Sequence, residues 1–390
     1  MKEIKPNSTF FTFNAPVIDP TLPKVFEVRG HSWVNYGNDN LYPNLQITPL
    51  YNASAMNRSC ITSKHIYTVG EGLLTKNPDM EYILKRANEI EGWNDIFTKV
   101  ALDYIIYGGF ALNIIWNELG DKIVNMYHVD FNTVRSGHID KETDRVEFYY
   151  YSADWAKYKK DIYKPKAYKS FSPAQADLYP NQILYFFDHN PGNIFYPTCS
   201  YSGSLTDISL DVSIASFHYY NLQNGLSPSL FISMNNGIPS PEERQDIYAE
   251  LASSFSGVEG AGKFFLAFSQ DKEHATEVTP IESANDDYYL LLENRITSRI
   301  LTGHRITSPL LLGIKDNGGS SLSNNKDEIL VASNHFNATV IKPMQKVLLK
   351  VFDRLVSYYG YPDTELYIKP LNLFDENGEQ VGEATVDAQA

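Results

Sequence analysis

The hydrophobic positions of this chain change period several times along its length, and each change marks a different kind of element. Residues 53–107 carry helical spacing. Asn77-Pro78 opens one predicted helix, with Met80, Ile83, Leu84, Ala87 and Ile90 on one face. Another follows Gly92, where Ile96, Phe97, Val100, Ala101, Tyr104 and Ile105 recur at steps of three and four until Gly108-Gly109 ends the run. From 110 to 188 the pattern becomes that of strands. Segments 110–116, 122–129, 145–151 and 181–188 are rich in Ile, Val, Tyr and Phe, with turn signals at Gly120-Asp121 and 139–144. A polar stretch over 152–169 holds six lysines: Lys157, Lys159, Lys160, Lys164, Lys166 and Lys169.

Helical spacing returns at 204–224. Leu205, Ile208, Val212, Ala215, Tyr219 and Leu222 alternate steps of three and four, which reads as a heptad seam packed lengthwise against a neighbour. Ser240-Pro241-Glu242-Glu243 is a capping box with proline at the first helical position, opening a helix to about Ser254. Residues 257–262 read as a loop, and 263–269 and 276–281 as strands. Tyr288, Leu291, Leu292, Ile296 and Ile300 form one face of a further helix. A glycine-bearing run over 303–319 breaks it. A helix restarts near Asn324 and is predicted to be interrupted at Pro343. Residues 364–370 read as a last strand, and the acidic, small-residue segment 375–390 as disordered. Residues 1–50 hold six prolines and little periodicity, the pattern of an extended arm. No repeat of solenoid period is present.

Composition narrows the picture. Hydrophobic residues make up 43% and charged residues 21%, enough apolar material for a packed core. The net charge of −14 argues against a basic nucleic-acid binder, without excluding a protein past which DNA slides without sticking. Cys60 and Cys199 match no metal-ligand spacing. The start Met1-Lys2-Glu3-Ile4-Lys5-Pro6 lacks a signal-peptide core, and no apolar run reaches the ~20 residues of a membrane span, so a cytosolic protein without membrane contact is expected. The 27 tyrosines and 21 phenylalanines include doubled or tripled sites at 149–151, 186–187, 219–220, 288–289 and 358–359. They serve core packing or interfaces between subunits.

Motifs that suggest chemistry fail on inspection. Gly257-Val258-Glu259-Gly260-Ala261-Gly262-Lys263 fits the first seven positions of a phosphate-binding loop. Phe264 then stands where a magnesium-holding Ser or Thr belongs. The loop also runs from helix to strand, so no helix N-terminus faces a phosphate. His128-Val129-Asp130 and His138-Ile139-Asp140 lack a third ligand at convincing spacing. Asp286-Asp287 with Glu293 reads as ordinary charge at a helix start, and no nucleophile elbow occurs. No catalytic, metal or cofactor set emerges.

The order of elements, rather than any one motif, resembles a known family. Asp188-His189-Asn190-Pro191 precedes the long helix of 204–221. Next come the helix of 239–254, the turn Gly260-Ala261-Gly262-Lys263 and the strand Phe264–Phe268. The helix Tyr289-Leu290-Leu291-Leu292-Glu293-Asn294-Arg295 through Ile300-Leu301 leads to Ile306-Thr307-Ser308-Pro309-Leu310-Leu311-Leu312-Gly313. The helical segment from Asn324 with Val340-Ile341-Lys342-Pro343 closes the series, and Tyr107-Gly108-Gly109-Phe110 is similar to the family's step into strands. This series, nearly half the chain, resembles the portal proteins of tailed double-stranded DNA bacteriophages. Two features depart from the family: His304-Arg305 replaces the usual aromatic-Gly-Val entry to the turn, and the crown region is short.

The resemblance implies an α+β portal-type fold with an α/β wing, helical stem, β-rich clip and short helical crown, assembled as a ring, usually of twelve subunits, at one capsid vertex. Its implied division is an N-terminal arm (1–52), wing (53–121 and 225–284), clip-like insert (122–203), stem helix (204–224), tunnel helix and loop (285–322), crown-like helices and last strand (323–374) and tail (375–390). It implies no hydrolysis by the chain itself and no cofactor. DNA passes through the tunnel, driven by a large terminase that docks on the clip, where head–tail adaptor proteins dock later; major capsid and scaffold proteins surround the ring. Tunnel-facing candidates are Lys315, Asp316, Asn317, Gly318 and Gly319, and the six lysines above are the docking candidates. The expected location is the virion, after assembly in the host bacterial cytoplasm. The other readings are a metal-dependent nuclease or hydrolase acting on nucleic acid, and another head-assembly protein such as an adaptor or capsid protein.

Overall fold

The computed structural model describes residues 23–223, 230–234, 237, 239–255, 264–268, 286–314, 326–360 and 365–371. The chain divides into two compact units, one built from 18–208 and 298–390, the other from 1–17 and 209–297.

The larger unit opens with a hairpin of β1 (Val25–Glu27) and β2 (Val34–Tyr36), then a π-helical turn at Pro43–Ile47 and α1 (Thr48–Ala53). The arm expected over 1–52 is therefore structured from residue 23. Its later prolines, Pro43 and Pro49, sit in first helical turns, where a missing N–H is harmless. In α2 (Ala55–Val69), Ser54 caps the start by accepting from Asn57 N at 3.1 Å. After β3 (Leu73–Thr75), the helix expected through Ile90 is cut short. Only a 3-10 turn at Pro78–Met80 and α3 (Glu81–Leu84) form. Asn88 Oδ1 accepts from the backbone of Ile90 and Glu91, a local turn that competes with the helix, and Ile90 ends 92% exposed. In α4 (Trp93–Tyr107), every predicted core position from Ile96 to Ile105 is buried, and Gly108 closes the helix at φ 82°.

Six strands form one sheet: β4 (Gly109–Trp116), β5 (Ile123–Val129), β6 (Val134–Ser136), β7 (Phe148–Tyr151), β8 (Lys166–Ser170) and β9 (Asn181–Phe187). Their order is β5-β4-β9-β8-β7-β6, antiparallel except for β8 beside β9. Period-two alternation along β4 sends Phe110, Leu112, Ile114 and Trp116 into the main core with Ile96, Phe97 and Val100. Ala111 faces the other way, into a smaller cluster with Val134, Tyr149 and Ile183. The insert expected at 122–203 is thus no module of its own. The boundary at 121/122 cuts the β4–β5 hairpin, and its strands share a sheet and a core with their predecessors. Arg135 is fully buried beside this sheet. Its guanidinium donates to Asn40 O, Asn40 Oδ1, Asn132 O, Val134 O and Asn44 Oδ1 at 2.6–3.2 Å, tying residues 40–44 to β6.

The smaller unit takes in most of α5 (Leu205–Gln223), then β10 (Leu230–Met234), α6 (Pro241–Phe255), β11 (Phe264–Phe268) and most of α7 (Asp286–His304). The capping box of α6 is formed in both directions: Ser240 N donates to Glu243 Oε2 at 2.8 Å and Glu243 N to Ser240 Oγ at 3.3 Å. Strands β10 and β11 run parallel with α6 as their crossover. The strand expected at 276–281 lies outside the described residues.

The larger unit resumes after Thr297. Past α7, a 3-10 turn at Pro309–Leu312 ends in Gly313 at φ 72°, and α8 (Lys326–Phe336) runs through a π-helical turn at Asn337–Ile341 into α9 (Lys342–Ser357). Pro343 does not break this helix. It falls in the first turn of α9, just after the π-turn. Leu348, Val351, Phe352, Leu355 and Val356 of α9 complete the main core, and β12 (Leu366–Ile368) pairs antiparallel with β3.

Candidate functional site

The turn that leaves α7 is the most constrained part of the predicted tunnel region. His304 is fully buried, stacked on Tyr201 at 4.5 Å, and its Nε2 lies 2.8 Å from Asn57 Oδ1. Burial, with Lys64 nearby, holds the imidazole well below the usual histidine range, so it stays neutral. Lys64 is itself buried, and burial lowers its ammonium to about 8. Arg305 then takes a left-handed φ of 60°, and Ile306 N bonds back to Leu301 O. Ser308 caps the 3-10 turn, accepting from Leu310 N at 3.3 Å. The departure His304-Arg305 is thus what anchors the end of α7, in place of an aromatic residue and a glycine. Gly303 packs against Ser204 so closely that an added Cβ would sit 1.8 Å from Ser204 Oγ, and Ser204 in turn donates to Arg299 O. Beside it, Arg299 pairs with Asp207 at 3.3 Å. The tunnel-loop candidates Lys315, Asp316, Asn317, Gly318 and Gly319 lie outside the described residues.

The six docking lysines do not share one environment. Lys157, Lys159, Lys160, Lys164 and Lys166 are exposed, with Lys157 paired to Asp154 and Lys164 to Asp161 at 2.7 and 2.9 Å. Lys169 is the exception. It lies on β8, where alternate side chains turn inward, and is buried against Glu147, Phe148 and Tyr179. It is a core cation and offers no docking charge.

The seam along α5 is only partly formed. Leu205 and Ile208 are buried and Val212 is half-buried, but Ala215 is exposed and Tyr219 is 56% exposed; the side chain of Leu222 is outside the described set. Phe217 and Tyr220 on the same helix are 46% and 59% exposed, and Leu291 on α7 is 69% exposed. Among the described residues the seam is therefore less covered past Ile208, although His218 of α5 lies 3.6 Å from Glu293 of α7. Other doubled aromatics are core residues: Tyr149 stacks on Tyr185, Phe186 on Phe110, and Tyr358 and Tyr359 contact Trp116 and Trp93.

The histidine motifs resolve into structural roles. His128 Nε2 lies 2.8 Å from Asp103 Oδ2, and Phe131 N donates to the same oxygen; burial raises the Asp103 carboxyl despite these bonds. Asp130 stands 3.9 Å from His128 Nδ1. His138 faces His31 O and Glu27, while Asp140 accepts from Glu142 N and Thr143 N in a turn. Burial pushes both free cysteine thiols, Cys60 and Cys199, up to about 12. No three His, Cys, Asp or Glu side chains converge as metal ligands among the described residues. Gly257 to Lys263 lie outside the described residues; α6 ends before them at Phe255 and β11 begins after them at Phe264, the helix-to-strand order expected. No described helix is long and apolar enough to cross a membrane. Sequence reasoning missed Arg135 and Lys64, because nothing in a run of residues marks a cation for burial; a glycine inside the helical pattern of α7 was the one signal for Gly303.

The fold recurs in solved structures. A chain in the virion of a native gene transfer agent particle superposes at TM-score 0.54 with 14% identity, covering 86% of this chain and 85% of that one. This chain shares its fold with a protein of the gene transfer agent particle. Chains from the neck of that particle, solved with C12 symmetry in the native state and C6 symmetry in the empty one, superpose at TM-scores 0.52 and 0.54 over 86% and 87% of this chain. An HK97-family phage portal protein from Corynebacterium diphtheriae superposes more loosely, at TM-score 0.47 and 12% identity over 83% of this chain and 94% of that one. No protein-family model matches the chain. An uncharacterized protein of Rickettsia bellii (strain RML369-C) is 25% identical over 183 residues, 46% of this chain and 44% of that one, so the chain spans less than half the length of that relative. At the level of fold, the mixed α+β architecture expected from the ordered motifs is shared with chains of the gene transfer agent particle.

Proposed function

We propose that this chain is the subunit of a portal-type ring, set at one vertex of a viral or virus-like capsid, through which double-stranded DNA enters and leaves. The observation that carries the reading is the fold shared over nearly the whole length of both chains with proteins of a particle neck. The apolar side chains left exposed on α5 and α7 support self-association, because surfaces of this kind bury against other copies. In this reading the chain hydrolyses nothing. A separate terminase motor drives the DNA, head–tail adaptors replace the motor afterwards, and major capsid and scaffold proteins hold the ring from outside. The particle is the site of action and the host bacterial cytoplasm the site of assembly.

We assign the docking role first to the unit of 209–297 rather than to 122–203, since it is a body of its own while the strands of 122–203 belong to the main sheet. The exposed lysines Lys157, Lys159 and Lys160 are the second candidate docking face. The tunnel loop stays assigned to 315–319. Electron microscopy of the purified protein tests the central claim. Rings with a central hole are expected, either spontaneously or on concentration. A monodisperse dimer at every concentration in mass photometry would reject the reading, and magnesium-dependent cleavage of nucleic acid would favour the nuclease instead.

A further inference from the structure

The outward face of α9 carries a regular row of cations in an otherwise acidic chain. Lys342, Lys346, Lys350 and Arg354 follow one another at four-residue spacing, and all four are exposed. Successive members rise about 6 Å along the axis, so the row spans about 18 Å. At 3.6 residues per turn it drifts through about 120°, along one i, i+4 ridge. The buried residues Leu348, Phe352, Leu355 and Val356 occupy the opposite side of the same helix, so the row points away from the core. None of the four makes an ion pair with a described residue, in a chain with 47 acidic side chains. The single acid of α9, Asp353, is turned onto the backbone and accepts from Leu366 N at 3.2 Å. Arg354 is braced by the ring of Phe171, 5.5 Å away.

The chemistry of this face selects its partner. Protein interfaces are depleted in lysine at their centres and anchored by aromatic residues. Here three of the four groups are lysines and no exposed aromatic lies among them. Lys350 and Arg354 edge a groove that also holds Asp188, but the four evenly spaced, exposed cations together suit backbone phosphates, which are contacted by charge and carry no sequence information. We propose that the outer face of α9 binds the phosphodiester backbone of duplex DNA through Lys342, Lys346, Lys350 and Arg354, weakly and without regard to sequence. The inference deepens the portal reading, which suggests DNA as the polyanion at hand. The ring test scores that reading alone.

Fluorescence anisotropy of a short mixed-sequence duplex with the full chain, over about 50 to 200 mM salt, reads the contact. Four phosphate contacts per copy predict that log K falls with log salt at a slope of about −3.6, and K346Q/K350Q/R354Q should bring it near −0.9. The variant should stay folded, since its changes are on the solvent side, and circular dichroism checks this. K85Q/K122Q/K141Q removes equal charge at exposed lysines elsewhere and should keep the wild-type slope. The proposal is overturned if the α9 variant keeps the full slope, if the control loses as much, or if an oligoglutamate binds α9 more tightly than the duplex does. The last outcome would mark a surface for acidic protein.

Discussion

His304 shows how much one side chain can impose at the end of a helix. It must be neutral to sit fully buried between Tyr201 and Asn57 near the Lys64 ammonium. In the unfolded chain the same imidazole titrates near 6.5. As pH falls below that value, the unfolded state takes up a proton that the native state refuses, so stability is lost on acidification. The slope attributable to His304 is at most about 1.4 kcal/mol per pH unit. His304→Gln can still donate to Asn57 and has no such titration. Chemical denaturation between pH 7.5 and 5 should therefore show a shallower loss for the variant than for the wild type, with parallel curves counting against this account.

At the scale of elements, the approach of α7 to the start of α5 turns on Gly303. Helix propensity alone favours alanine there by about 1 kcal/mol. The contact argues for the opposite sign, because the new Cβ would meet Ser204 Oγ at 1.8 Å and Ser204 Cβ at 2.7 Å. We expect Gly303→Ala to destabilise by about 1–3 kcal/mol, the usual cost of overpacking. Ser204→Gly should restore part of that loss in the double variant. Stabilisation by Gly303→Ala in urea denaturation would show that Ser204 moves aside freely. The α8–α9 pair makes a related point. Pro343 is absorbed without a break because the π-turn of Asn337–Ile341 ends just before α9 begins.

For the whole molecule, the side chains that contribute nothing to the core are as informative as those that do. Leu210 and Tyr220 on α5 are 41% and 59% exposed. In the ring reading they lie between copies. Leu210→Ser with Tyr220→Ser should then leave the unfolding of the single chain nearly unchanged and shift mass photometry from rings toward single subunits. Rings of undiminished population would place the interface elsewhere. The net charge of −14 acts at the same scale. It disfavours tight nucleic-acid binding by the chain as a whole, against which the row on α9 is a local excess of positive charge.

Local periodicity determined the elements. The spacing of apolar residues in α4, the alternation along β4 and the capping box before α6 were legible because each depends on neighbours within one or two turns. The order of those elements was enough to point to a portal-type fold. What only the tertiary structure decided is everything set by residues far apart in the chain. Whether β5 begins a new module or continues the sheet of β4 depends on pairings across 109–187. Lys169 reads as one more surface lysine until β8 pairs with β7 and turns it inward beside Glu147. The α5 seam has the right spacing, yet the spacing cannot say how far a helix of the same chain covers it: Val212 is half-buried and Tyr219 is 56% exposed. Burial and charge pairing are properties of the assembled surfaces, and a periodic pattern states only which side of an element seeks a partner.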